Sequence, residues 1–154
     1  MNDKAEIETT NTSLTIRRVF DVQRERLYRA FTDSDELEQW YAPGDLRMKV
    51  HTLEPEPGGT LSFSFIDGEH QTTIEGTYVK VIKNERIVHT WQYPDEEESR
   101  VTYEFHDTDQ GTVVTLVHEQ IGPDSDRSSR ENVDGYVEGW SRALETLAEA
   151  VVRR

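Results

Sequence analysis

A chain of 154 residues with 31 acids against 17 bases, a net charge of −14 and no cysteine fits one domain, and excludes a disulfide framework, thiolate chemistry and a Cys-type zinc site. The charge argues against a non-specific grip on nucleic acid or anionic lipid, since both need basic patches. No apolar run approaches the ~18 residues of a membrane span, and the polar opening MNDKAEIETTNTS lacks the apolar stretch of a signal peptide, so a soluble, cytoplasmic protein is expected.

The bases are 13 Arg and only four Lys. Excess acid, scarce Lys and no Cys together suit a halophile protein working in molar salt, where charge repulsion is screened within about 3 Å. An ordinary acidic protein carries the same charges without that adaptation. The apolar fraction is only 34%, yet strongly alternating segments argue against disorder.

Residues 1–11 carry no periodicity and are expected to form a disordered tail, leaving residues 12–154 as a single domain. Residues 13–20, SLTIRRVF, alternate with Leu14 and Ile16 pointing inward, which predicts a strand. Asp21 is a candidate helix cap, and Leu27, Ala30 and Phe31 follow at helical spacing. Asp33 stands three residues before Glu36, the spacing of a capping box. Leu37, Trp40 and Tyr41 then predict a second short helix, ended by Pro43 and Gly44.

From residue 45 to residue 120 the period drops to two. Strands are predicted over 46–53, 61–65, 72–82, 87–93, 100–105 and 113–119. The turn signals between them are EPEPGG (54–59), Asp67 with Gly68, Asn84 with Glu85, an acidic solvated turn at 95–99, and DTDQG (107–111). Consecutive strands joined by short turns make an antiparallel meander. Gly122 and Pro123 close it. Ser128 stands three residues before Glu131, a second capping-box spacing. Val133, Tyr136, Trp140, Leu144, Leu147 and Val151 then form one apolar stripe on a helix of about 24 residues, roughly 36 Å long.

This order predicts an α+β fold. A seven-stranded curved antiparallel sheet wraps around the long C-terminal helix, and the two short helices after the first strand sit at the mouth of a cavity.

The words TIRRVFDVQRERLYRAFTDSDELEQWYAP (15–43), EPEPGGTLSFSF (54–65), IEGTYVKV (74–81), ERIVHTWQY (85–93), VTYEF (101–105), GTVVTLVHE (111–119) and EGWSRALETLAE (138–149) resemble, in this order, the START-like (SRPBCC) superfamily with its helix-grip fold. The branch they resemble is similar to the C-terminal domain of the heat-shock-protein (chaperone) ATPase activator. Relatives often carry His where this chain has Tyr136, and Glu where it has Lys80. The full activator has a further N-terminal domain that touches the chaperone, and nothing in these residues resembles it. The resemblance therefore implies a fold and a cavity more firmly than it implies chaperone activation.

The five histidines, His51, His70, His89, His106 and His118, show no helical metal spacing. His89 and His118 share the phase of inward residues, but a buried neutral imidazole bonded to a neighbour accounts for each. By the same phase argument the cavity wall is expected to include Phe63, Tyr78, His89, Trp91, Tyr103, His118 and Tyr136. Plain core packing is the bland alternative for any of them. Tyr136 is expected to orient a ligand through its hydroxyl, because a phenol is a poor base at neutral pH. Gly135 and Gly139 lie on one face of the helix and suggest close passage over the cavity rim, at about 1 kcal/mol each relative to Ala.

GWS at 139–141 is not a nucleophile elbow, and EPEPGG lacks the Lys and helix of a phosphate loop. No catalytic residue, cofactor or metal is assigned. The preferred reading is a non-enzymatic module binding a small hydrophobic or aromatic molecule. A second reading is an interaction protein with a chaperone as partner. A third is a cyclase- or hydrolase-type enzyme using His89 or His118 with a Tyr. A monomer or weak dimer is expected.

Overall fold

The chain leaves its second strand through two short helices, reaches the far edge of the sheet, and walks back strand by strand until the last lies beside the second. A computed structural model describes residues 5–42, 46–122 and 127–152. Its elements are β1 (Glu6–Thr9), β2 (Leu14–Phe20), α1 (Arg24–Thr32), α2 (Ser34–Trp40), β3 (Arg47–Leu53), β4 (Thr60–Asp67), β5 (His70–Ile82), β6 (Arg86–Trp91), β7 (Ser99–Thr108), β8 (Gly111–Glu119) and α3 (Arg127–Val152). The strands form one sheet in the order β1-β2-β8-β7-β6-β5-β4-β3, and every neighbouring pair is antiparallel. The α+β helix-grip architecture holds, with eight strands in place of seven.

The additional strand, β1, falls in the segment expected to be a tail. All four of its residues are exposed, so it carries no alternation to read. Backbone pairing holds it, with Ile7 opposite Ile16. Arg130 on α3 also reaches across, donating to the Thr9 hydroxyl at 3.1 Å and the Thr10 carbonyl at 3.0 Å.

The caps of the short helices also differ from expectation. The N-cap of α1 is Gln23, not Asp21, and makes no side-chain cap bond. Asp33 does cap α2, accepting from the Asp35 N–H at 2.9 Å. Glu36 does not complete a capping box. It is buried, and its carboxylate takes Arg26 at 2.6 Å and Arg29 at 2.8 Å. Two charge-assisted bonds on one carboxylate brace α1 against α2. The expected stop at Pro43 and Gly44, the sheet end at Pro123 and the cap at Ser128 lie outside the described residues and side chains.

The predicted stripe of α3 is the face turned to the sheet: Val133, Trp140, Leu144, Leu147 and Val151 are all buried. Against them lie Leu14 and Ile16 of β2, Val101, Tyr103 and Phe105 of β7, and Val114 and Leu116 of β8. Full burial of such a side chain is worth roughly 1.5–3 kcal/mol, so the stripe is the main attachment of the helix. The register of β5 against β6 shifts between Tyr78 and Lys80. A Cβ at Gly76 would run into the Thr90 carbonyl oxygen, so only glycine fits that approach.

Candidate functional site

Three groups of rings fill the concave side of the sheet. The first is deep. The Thr90 carbonyl only accepts, so its 2.8 Å contact with His89 Nδ1 places the proton on that nitrogen. Burial lowers the His89 pKa to about 4, against a smaller opposing effect of that hydrogen bond. The imidazole is therefore neutral and its Nε2 accepts from the Tyr103 hydroxyl at 3.0 Å. The Tyr103 oxygen in turn accepts the Tyr41 hydroxyl. Burial raises the pKa of both phenols. The chain Tyr41 to Tyr103 to His89 to Thr90 thus runs in one direction, with every donor satisfied.

The second group centres on His118. Its Nδ1 accepts from the Trp140 indole N–H at 3.1 Å. Burial, and then repulsion from His89 once that ring is protonated, lowers its pKa to about 3. A neutral ring that accepts at Nδ1 carries its proton on Nε2, which donates to Ser99 Oγ at 2.8 Å. The Ser99 hydroxyl in turn donates a hydrogen bond to the Trp91 carbonyl at 3.2 Å.

The third group borders open space. A cleft of about 340 Å³ lies between the sheet and α3, at the lower end of the ~300–1,000 Å³ typical of small-molecule sites. Six rings wall it: Tyr41, Phe65, Trp91, Tyr93, Tyr136 and Trp140. Gly135 and Gly139 contribute the helix side, with Leu46, Glu96, Glu131 and Asn132 around them. Trp91 stands edge-to-face with Tyr136 at 6.0 Å and 88°. Its indole N–H donates to the Tyr136 oxygen at 3.2 Å, and the Tyr136 hydroxyl donates to Glu96 Oε1 at 3.3 Å. Burial first, and then the Glu96 charge, push the Tyr136 pKa up.

Of the seven residues expected on the wall, Trp91 and Tyr136 border the cleft. The other five lie behind it. Tyr78, His89 and Tyr103 surround a gap of only about 10 Å³, hardly the space of one water. Phe63 is packed between Tyr41 at 5.3 Å and Trp91 at 5.6 Å. His118 lies 4.4 Å from the Tyr136 ring. Alternation gives the side of the sheet a residue faces, not the depth to which that side is filled. Here Phe31, Trp40 and Tyr41 from the short helices fill it.

The lining residues not anticipated on the wall are Tyr41, Leu46, Phe65, Tyr93, Glu96, Glu131, Asn132 and Trp140. Glu96 corrects the reading of 95–99 as a merely solvated turn. Asp95 adopts a left-handed φ of 65°, the Glu96 N–H bonds the Tyr93 carbonyl at 3.1 Å, and Gln92 holds the Glu96 carbonyl at 3.0 Å. The turn is pinned with Glu96 inward. Gly135 also acts differently from expectation. A Cβ on Gly135 would meet nothing within 4 Å, so its absence leaves cleft volume open instead of permitting close packing.

Among the described residues no group of three acids or histidines could hold a metal ion, and no described helix is long and apolar enough to cross a membrane.

Comparison with known proteins places this geometry. No curated protein matches the chain at a significant level. A crystal structure of a Chromobacterium violaceum protein, 25% identical, covers 91% of this chain and 97% of its own with a TM-score of 0.79. The structure titled as the AHSA1 protein of Silicibacter pomeroyi gives the same 25%, 91%, 97% and 0.79. A Rhodobacter sphaeroides protein, 20% identical over 98% of this chain and 100% of its own, shares the fold with a TM-score of 0.87. The family model described as activator of Hsp90 ATPase homolog 1-like protein matches residues 21–152. That match spans everything from the end of β2 to the end of α3, and the chain therefore belongs to the activator of Hsp90 ATPase homolog 1-like family, within the START-like superfamily.

Proposed function

We propose that this chain is a non-enzymatic binding module that takes a small hydrophobic or aromatic molecule into the cleft between the sheet and α3. The observation that carries this reading is the cleft wall itself: six rings around about 340 Å³. Ring walls with few polar groups suit a flat apolar guest. The binding residues proposed are Trp91 and Tyr136 from the sequence expectation, with Tyr41, Phe65, Tyr93 and Trp140. Phe63, Tyr78, His89, Tyr103 and His118 act as the rigid backing of that wall.

Binding is favoured over acid–base catalysis by the state of the histidines. His89 and His118 are both buried, with pKa values lowered to about 4 and about 3. Each has both ring nitrogens engaged. A general base works best with a pKa near the operating pH and within reach of substrate. The family name raises a chaperone as partner, and the cleft does not depend on one.

The test is native mass spectrometry of protein purified from its own host, paired with a chemical-shift titration against neutral, acidic and amine-bearing aromatic compounds. A retained mass, or shifts confined to the Trp91, Tyr136 and Trp140 signals, is expected. Absence of both would overturn the reading.

A further inference from the structure

We propose that the guest of this cleft is an organic cation, a protonated amine or quaternary ammonium group carried on a flat apolar body. The inference rests on the cleft-binding reading and adds the charge of the ligand.

Five rings of the wall carry an N–H or O–H, and four of them are already committed inside the protein. Tyr41 donates to Tyr103. Trp140 donates to His118. Trp91 donates to Tyr136, and Tyr136 donates to Glu96. The directions are fixed: the Thr90 carbonyl sets the Tyr41–Tyr103–His89 chain, an indole N–H only donates, and the Glu96 carboxylate only accepts. What the wall still offers strongly is acceptance. Glu96 and Glu131 are carboxylates, and an ionised carboxylate only accepts. The Tyr93 hydroxyl and the Asn132 amide serve either way.

Charge points in the same direction. The described lining holds two carboxylates and neither Lys nor Arg. An anionic guest, such as a fatty acid or an aromatic acid, would meet like charge with no cation to receive it. A cation would meet Glu96 and a wall of six rings, and a ring quadrupole attracts a cation placed over its face. The Glu96 side chain is half-buried and its backbone is held on both sides. It is therefore a positioned charge, unlike the exposed acids elsewhere on the surface.

The experiment uses three probes with one ring system and three charges: tryptamine, tryptophol and indole-3-acetate. Each is titrated into the full chain by chemical shift, at the lowest salt at which the spectrum is that of the folded protein. The signals read are the indole N–H groups of Trp91 and Trp140. Tryptamine is expected to bind about tenfold more tightly than tryptophol, and indole-3-acetate more weakly than either. Glu96→Gln is expected to reduce the tryptamine-over-tryptophol ratio several-fold. If tryptophol or indole-3-acetate binds as well as tryptamine, the charge inference fails and the cleft reading stands. If tryptamine shifts only signals scattered over the acidic surface and not the two indoles, the cation is not a cleft ligand and the inference again fails. If no probe moves those indoles, the inference fails, and the cleft reading falls as well where native mass spectrometry finds no retained mass.

Discussion

The Trp140 indole N–H bonds His118 Nδ1 at 3.1 Å, and this one contact joins the helix stripe to the inner face of β8 while deciding where the imidazole keeps its proton. His89, two strands away, is held the other way round, with its proton on Nδ1 toward Thr90. The two buried histidines are therefore expected in opposite tautomers, Nε2–H for His118 and Nδ1–H for His89. Nitrogen chemical shifts of the imidazoles check this directly, and two identical tautomers would contradict the bonding described.

Both imidazoles couple stability to pH. An unfolded His titrates near 6.5, whereas the folded pKa values are about 4 for His89 and about 3 for His118. Below pH 6.5 the unfolded chain binds protons that the folded chain refuses. Stability is therefore fully present above pH 6.5 and is lost as pH falls toward 4 and then 3, by up to about 1.4 kcal/mol per pH unit for each imidazole. Urea midpoints at pH 7.5, 6.5, 5.5 and 5 are expected to hold level and then drop. A level midpoint down to pH 5 would show that the rings take up protons without unfolding.

Trp140 anchors α3. It is buried, stands 5.4 Å from Trp91 and 5.3 Å from Tyr41, and its removal also leaves His118 Nδ1 without a donor. Trp140→Ala is expected to cost ~3–5 kcal/mol, read as a lowered urea midpoint. An unchanged midpoint would refute the anchoring role.

Gly135 separates helix stability from cleft volume. Because an added Cβ meets nothing within 4 Å, Gly135→Ala is expected to raise stability by up to about 1 kcal/mol through helix propensity. Gly135→Leu extends into the cleft and is expected to weaken any cleft ligand while the fold persists. Calorimetric melting and the indole titration give the two readouts, and a destabilised Ala variant would place Gly135 in a tight contact after all.

Salt tests the charge imbalance. With 31 acids against 17 bases, exposed like charges repel over about 10 Å at 0.1 M salt. The melting temperature is expected to rise between 0.1 and 2 M KCl. A flat or falling curve would remove the reading of the composition as an adaptation to molar salt.

The sequence by itself determined the order of the elements from β2 to α3, the inward phase of every strand among them except β3, and the stripe of α3. Those features are local. A period of two or of 3.6 is written in neighbouring residues, and the turns between them are marked by Gly, Pro, Asn and Asp. Tertiary structure decided the rest. Strand β1 has no buried face and exists only through pairing with β2. His89 and His118 share the inward phase of Trp91, yet only Trp91 borders open space, because Tyr41, brought in by α2, covers His89 and Tyr103. Glu96 reads as one more surface acid until the turn that holds it sets its carboxylate against Tyr136. Which inward residues meet a cavity depends on how much volume distant elements contribute, and sequence-local periodicity carries no information about that sum.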